Sequence, residues 1–190
     1  MRRPRPLSFA LMLTLCWPLA PLACTSSSGE ATAMATVEPL GDSGVRGTVE
    51  FAKAGPDRVR VRAELSGLTP GLHGIHIHEF GDCSAPDGSS AGDHFNPDKS
   101  RHGGPEGPRH HRGDLGNIEA NASGRGTLNF TTDAFTLDDG PYGILGRSLV
   151  VHAMADDLVT DPAGSSGARI ACGVIRSTSG ATKPVLPSGS

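Results

Sequence analysis

Aromatic side chains make up only 4% of the 190 residues and hydrophobic ones 36%, so there is little material for a large core. The apolar residues nevertheless fall in short clusters, which fits a compact domain better than a disordered chain. Runs of Lys and Arg are also missing. Setting aside Arg2, Arg3 and Arg5 with the apolar segment behind them leaves 14 basic against 20 acidic side chains, a net charge of −6, and such a chain has no electrostatic footprint for nucleic acid. No capped helix, internal repeat or second domain can be read. Gly 26 and Pro 15, together 41 of 190 positions, weaken helices and favour turns, which argues for short strands and long loops.

Residues 1–24 have the three parts of a secretory signal: a basic start, an apolar stretch from Leu7 to Leu19 and small residues near a cleavage site. The stretch is too short for a comfortable membrane span. Cys24 follows Leu22 and Ala23 and precedes a Thr/Ser/Gly/Ala tether, which resembles the acylation site of a bacterial lipoprotein, although Pro21 stands where Leu is usual. Ordinary cleavage after Ala23, or at Ala31-Thr32-Ala33, is the alternative. The expected organisation is a signal at 1–23, a flexible tether at 24–33, one domain at 34–176 and a disordered tail at 177–190. Export places the domain in the bacterial periplasm or cell envelope, lipid-anchored if Cys24 is acylated. Cys83 and Cys172 are the two cysteines left inside the domain, and an oxidising compartment favours a disulfide between them; two separate buried thiols are the alternative.

Alternation with a period of two marks the strands. Val59, Val61, Ala63 and Leu65 alternate with Arg60, Arg62 and Glu64, and a similar pattern spans 45–51. Further strands are expected near 34–40, 72–78, 116–122, 127–131, 148–153 and 172–176. Several short strands separated by Gly/Pro/Asp/Ser clusters indicate an all-β antiparallel sandwich or barrel. Segments 81–113, 133–147 and 156–169 read as long loops, and the first carries four of the eight histidines, so function is expected there.

Within 72–78, His76 and His78 project from one face and His73 lies on the face of Ile75 and Ile77, which separates a site pair from a core histidine. Downstream, His94, His102, His111 and Asp114 supply three imidazoles and a carboxylate within 21 residues, the ligand types and number that suit tetrahedral zinc. His152 follows Leu149-Val150-Val151 at the end of a strand.

Taken in order, the segments 71–82, 94–97, 102–105, 111–117, 149–157 and 169–175 resemble the copper,zinc superoxide dismutase family, over about 34–176. The resemblance implies an immunoglobulin-like antiparallel Greek-key β-sandwich or flattened barrel with long metal-binding and active-site loops. It implies copper at His76, His78, His94 and His152 and zinc at His94, His102, His111 and Asp114, one ion of each per subunit, with His94 as the bridge. His110 lacks the family's spacing to Asp114 and is assigned to solvent. Asp156 matches an outer carboxylate linking ligands of the two metals, Cys83 and Cys172 match the family disulfide, and Arg169 matches the arginine beside copper. The implied reaction is superoxide disproportionation: Cu(II) oxidises one superoxide to oxygen, Cu(I) reduces a second to hydrogen peroxide, and His94 takes up and returns a proton. Zinc, lacking redox chemistry, positions His94.

Between Asp156 and Arg169 the chain is shorter than many family members and lacks the Glu/Lys group that shapes their steering field. Arg169 is therefore expected to supply most of the attraction for superoxide, with Lys99, Arg101 and Arg112 as helpers. The competing reading is an envelope copper or zinc store without turnover, against which His152 and Arg169 argue because a zinc-only module needs neither. The family resemblance is compatible with a homodimer or a monomer.

Overall fold

The computed structural model describes residues 32–178. The signal segment, Cys24, most of the tether and most of the tail therefore lie outside the described residues. Eight strands follow in order: β1 Ala33–Pro39, β2 Arg46–Lys53, β3 Val59–Ser66, β4 Gly71–His78, β5 Asp114–Ala120, β6 Gly126–Thr132, β7 Ser148–His152 and β8 Arg169–Ser177. All neighbours are antiparallel and the order around the sheet is β1-β2-β3-β6-β5-β4-β7-β8, closed by pairing of β8 with β1. Closure leaves no free sheet edge among the described strands. The first strand begins at Ala33 and the last ends at Ser177. Ala33 is buried and pairs with Phe51 and Ser177, while Thr178 donates its N–H to Thr32.

The alternation read from the sequence is the alternation of burial. In β3, Val59, Val61, Ala63 and Leu65 point inward, and the intervening charged residues face out. Inside the barrel these residues meet Val49 and Phe51 of β2, Ile75 and Ile77 of β4, Ile118 of β5 and Val151 of β7. The segment 133–147, expected to be a loop, is irregular but not peripheral: Phe135, Leu137 and Ile144 are buried in the same core, and Phe135 meets Phe51 edge-on at 6.2 Å between ring centroids. A single irregular plug thus supplies core volume that the few aromatics in the strands do not.

Cys83 and Cys172 form a disulfide with Cα atoms 5.8 Å apart, spanning 89 residues and fastening the 81–93 loop to β8. Closing a loop of that length in the unfolded chain corresponds to about 4 to 5 kcal/mol. Replacing both cysteines by serine should destabilise the domain by roughly that amount in a urea titration under oxidising conditions; a loss below about 1 kcal/mol would contradict the account.

Candidate metal centre

Backbone pairing brings distant histidines together. β4 pairs with β7, placing His76 opposite Val150 and His78 opposite Ser148, and on its other side a register irregularity between Gly74 and His76 sets His76 opposite Asp114 of β5. Ile77, between the two histidines, is the junction: its N–H donates to Gly113 O, and its carbonyl accepts from Phe95 N, each at 2.9 Å. Gly113 N–H in turn donates to Phe95 O. This three-way knot sets His94 beside His78 and Asp114 at the start of β5. Only glycine fits at 113, because a Cβ there would lie 2.2 Å from Ile77 O. His152 ends β7 at a second irregularity, opposite Arg169.

Two groups of side chains result. His76, His78, His94 and His152 converge, and so do His94, His102, His111 and Asp114; within each group the potential ligand atoms lie within 4.8 Å of one another. His94 belongs to both. All of these side chains are buried. His73 is also buried but faces the core, where its ring N–H donates to His152 O at 2.9 Å. His110 joins neither group; half-buried and not simply solvated, its ring N–H donates to His111 O at 2.7 Å.

The second nitrogen of each ring fixes its tautomer. His78 Nδ1–H donates to Gly92 O at 3.0 Å and His152 Nδ1–H to Gly167 O at 3.2 Å. His76 and His102 donate through Nε2–H to the two oxygens of Asp156, each at 2.8 Å. The nitrogens left over are His76 Nδ1, His78 Nε2, His152 Nε2 and His102 Nδ1; with His94 Nε2, they are buried and without a hydrogen-bond partner. Ser148 Oγ is the only other such side-chain atom among the described residues. His102 Nδ1 does lie 3.2 Å from Asp114 Oδ2, but without hydrogen-bond alignment. Buried polar atoms are rarely left unpaired. Five orphaned ring nitrogens gathered in one place are what a pair of imidazole-ligated cations requires, so the residues fit copper and zinc.

Asp114 completes the second group. Its Oδ2 accepts from the backbone N–H of His111 at 2.8 Å and Gly103 at 3.2 Å, while Oδ1 faces His94 Nδ1 at 2.8 Å and His111 Nδ1 at 3.3 Å. Burial opposes its charge, but the close rings of His102, His111 and His94 hold the carboxyl far below the usual carboxylate range. Asp156 is likewise held ionised against burial, chiefly by His102 and His76. Its backbone is clasped on both sides by Asn117, whose Nδ2 donates to Asp156 O at 2.9 Å and whose Oδ1 accepts Asp156 N–H at 2.7 Å. Asn117 was not singled out from the sequence, and no spacing rule marks it. A Cβ at Gly164, which has φ +60°, would lie 1.8 Å from Asp156 Oδ1, so the chain after Asp156 passes this carboxylate with no room for a side chain.

Arg169 sits at the start of β8 with its guanidinium donating to Gly88 O at 2.6 Å and Gly92 O at 2.7 Å. Gly92 O thus accepts from both Arg169 and His78. Of the expected helpers, Arg112 donates to Asp98 at 2.6 Å and stacks on Tyr142, and Arg101 lies 4.0 Å from Asp161. Lys99 is exposed.

Desolvation favours the neutral form of His78, His94 and His152. Burial lowers His94 to about 4 and His152 to about 3, and takes His78 well below its usual value. Burial opposes charge on His102 too, but Asp114 and Asp156 lift it to about 10. In the metal-free protein, His94 and His152 therefore contribute stability that is complete above the unfolded value of about 6.5 and is lost as pH falls through their folded values. His102 contributes stability that is complete below about 6.5 and is lost as pH rises towards 10. The melting temperature of metal-free protein should peak near neutral pH and fall on either side; a steady rise from pH 7 to pH 4 would be inconsistent with these shifts. Asp156→Ala should weaken zinc binding about 10- to 100-fold, read by competition with a chromophoric chelator, and unchanged affinity would remove Asp156 from its orienting role.

The family model for copper/zinc superoxide dismutase matches residues 45–175. The chain is 42% identical over 153 residues to the copper chaperone for superoxide dismutase of Sus scrofa, covering 77% of this chain and 54% of that protein. It is 40% identical over 153 residues to the human protein of the same name, again with 77% and 54% covered. The match thus spans about half the length of these chaperones. To Superoxide dismutase [Cu-Zn] 2 of Brassica juncea it is 45% identical over 139 residues, covering 70% of this chain and 90% of that protein. With a matching family model over most of its length and a closed antiparallel barrel carrying both side-chain groups, the chain belongs to the copper/zinc superoxide dismutase family.

Proposed function

We propose that the chain is a superoxide dismutase that converts two superoxide anions and two protons to oxygen and hydrogen peroxide. The observation that carries this reading is the set of four partnerless nitrogens, His76 Nδ1, His78 Nε2, His94 Nε2 and His152 Nε2, converging where one of the four rings also belongs to a second ligand group. Copper would be held by those four histidines and zinc by His94, His102, His111 and Asp114. A copper ion there supplies one-electron redox exchange, and a zinc ion supplies a fixed charge with no redox change.

The protein's own groups do the remaining work. Gly92 O, Gly167 O and Asp156 keep three of the copper-side imidazoles in one tautomer, so no ring has to reorient during turnover. His94 Nε2 is the atom at which a proton can be held and released, and burial weakens that proton's hold. Arg169, anchored by two carbonyls, presents a fixed positive charge to an anionic substrate.

A second reading is favoured by the chaperone relatives: a domain that holds copper for transfer to a protein partner without turning over superoxide. Export to an oxidising envelope compartment, with acylation at Cys24, remains our proposal from residues 1–24, and the Cys83–Cys172 bond supports the oxidising setting.

Stopped-flow measurement of superoxide decay by copper- and zinc-loaded protein separates the two readings. A dismutase shows second-order consumption that survives added chelator; a carrier shows only the activity of released copper. His152→Ala should abolish turnover while zinc stays bound, and unchanged turnover would refute the assignment of His152.

A further inference from the structure

The groove beside Arg169 encloses a cavity of about 730 Å³ whose lining includes Asp87, Ser89, Gly92, Asp93, Gly167 and Arg169. Two of these residues connect it to the ring nitrogens already described. Gly92 O accepts from His78 and Gly167 O accepts from His152, so the wall of the groove is the backbone that orients two of the four converging imidazoles. An anion drawn to Arg169 from this side crosses the groove.

Its charge is unexpected for such a route. Arg169 is the only cation lining the groove and Asp87 and Asp93 are its two anions, so the mouth is net negative at neutral pH. Both carboxylates are on exposed residues. Asp87 accepts the Ser89 N–H at 3.0 Å, and its hydrogen bonds to Ser89 keep its carboxyl below the usual range. Asp93 is fixed in the chain next to His94, with its carbonyl accepting Glu79 N–H at 2.8 Å. Arg169 hydrogen-bonds to neutral carbonyls, not to either carboxylate; both act on it through space, against the burial that disfavours its charge. The guanidinium is thereby held available for an incoming anion while its attraction at longer range is reduced.

Resting on the dismutase reading, we propose that Asp87 and Asp93 are the specificity-determining residues of this entrance: they set how strongly and how fast small anions reach Arg169. Like charges at the mouth of a low-dielectric groove lower the local concentration of an anion, and the effect fades as salt screens it. Each carboxylate reduces anion affinity at Arg169 by about threefold at low ionic strength, and the pair by about tenfold.

The test uses Asp87→Asn, Asp93→Asn and the double variant, because asparagine keeps the Oδ1 acceptor that Ser89 N–H uses. Asp57→Asn is the charge control; Asp57 is exposed in the turn between β2 and β3, at the opposite end of the barrel from Leu40, which also lines the groove. Azide is titrated into metal-free protein with ¹⁵N-labelled arginine, and the Arg169 Nε–H resonance reports its binding. The expected result is about tenfold tighter azide binding in the double variant at low salt, a smaller gain near 0.15 M salt, and no gain in the control. In metal-loaded protein the superoxide rate constant rises by a similar factor and becomes more sensitive to added salt. Unchanged or undetectable azide binding at Arg169 in the double variant overturns the proposal, as does an equal gain from Asp57→Asn. Tighter azide binding without superoxide consumption upholds the charge role and overturns the dismutase reading; consumption without a change in azide binding does the reverse.

Discussion

The carboxylate of Asp156 is the interaction on which the centre depends. One oxygen takes the Nε2–H of His76 and the other takes that of His102, so a single side chain dictates which nitrogen each ring turns to its own ligand group. Without this acceptor the two buried rings lose the partner that sets their tautomer. The strut is itself over-determined. Asn117 holds its backbone on both sides, Leu158 N–H donates to Oδ1 at 2.7 Å, and the chain at Gly164 passes with no Cβ to intrude. A short loop between β7 and β8 can serve here because it is pinned at the point where the two groups meet.

Burying seven histidine rings and two aspartates, among them five nitrogens that no protein group satisfies, is unfavourable in any fold. The closed barrel, the plug formed by Phe135, Leu137 and Ile144 and the Cys83–Cys172 bond together oppose that cost. The disulfide also ties stability to chemistry. It anchors the loop carrying Gly88 and Gly92, and those carbonyls place Arg169 and orient His78. A small domain with few aromatics can keep so polar an interior because each closure device acts at the edge of the site.

The same surface has two opposed electrostatic demands. Under the proposed function, holding two cations calls for carboxylates and neutral imidazoles, and an anionic substrate calls for a cation nearby. Arg169 answers the second demand and Asp87 and Asp93 oppose it in one groove.

What the sequence determined by itself is what local periodicity can encode. Alternation placed the strands, put His76 and His78 on the face opposite His73, and marked 81–113 as the loop that carries ligand-type residues. Cysteine count, with an assumed compartment, paired Cys83 with Cys172. Only the tertiary structure decided that β8 closes on β1, that 133–147 packs into the core instead of lying over it, and that Asn117 clasps Asp156. It alone also showed that Arg112 is occupied by Asp98 and that two carboxylates share a groove with Arg169. The physical reason is range: a period of two is a property of neighbouring residues, whereas core plugs, buried struts and the charge of a groove arise where segments far apart in the chain, such as Asn117 and Asp156 or Gly92 and Arg169, are brought into contact.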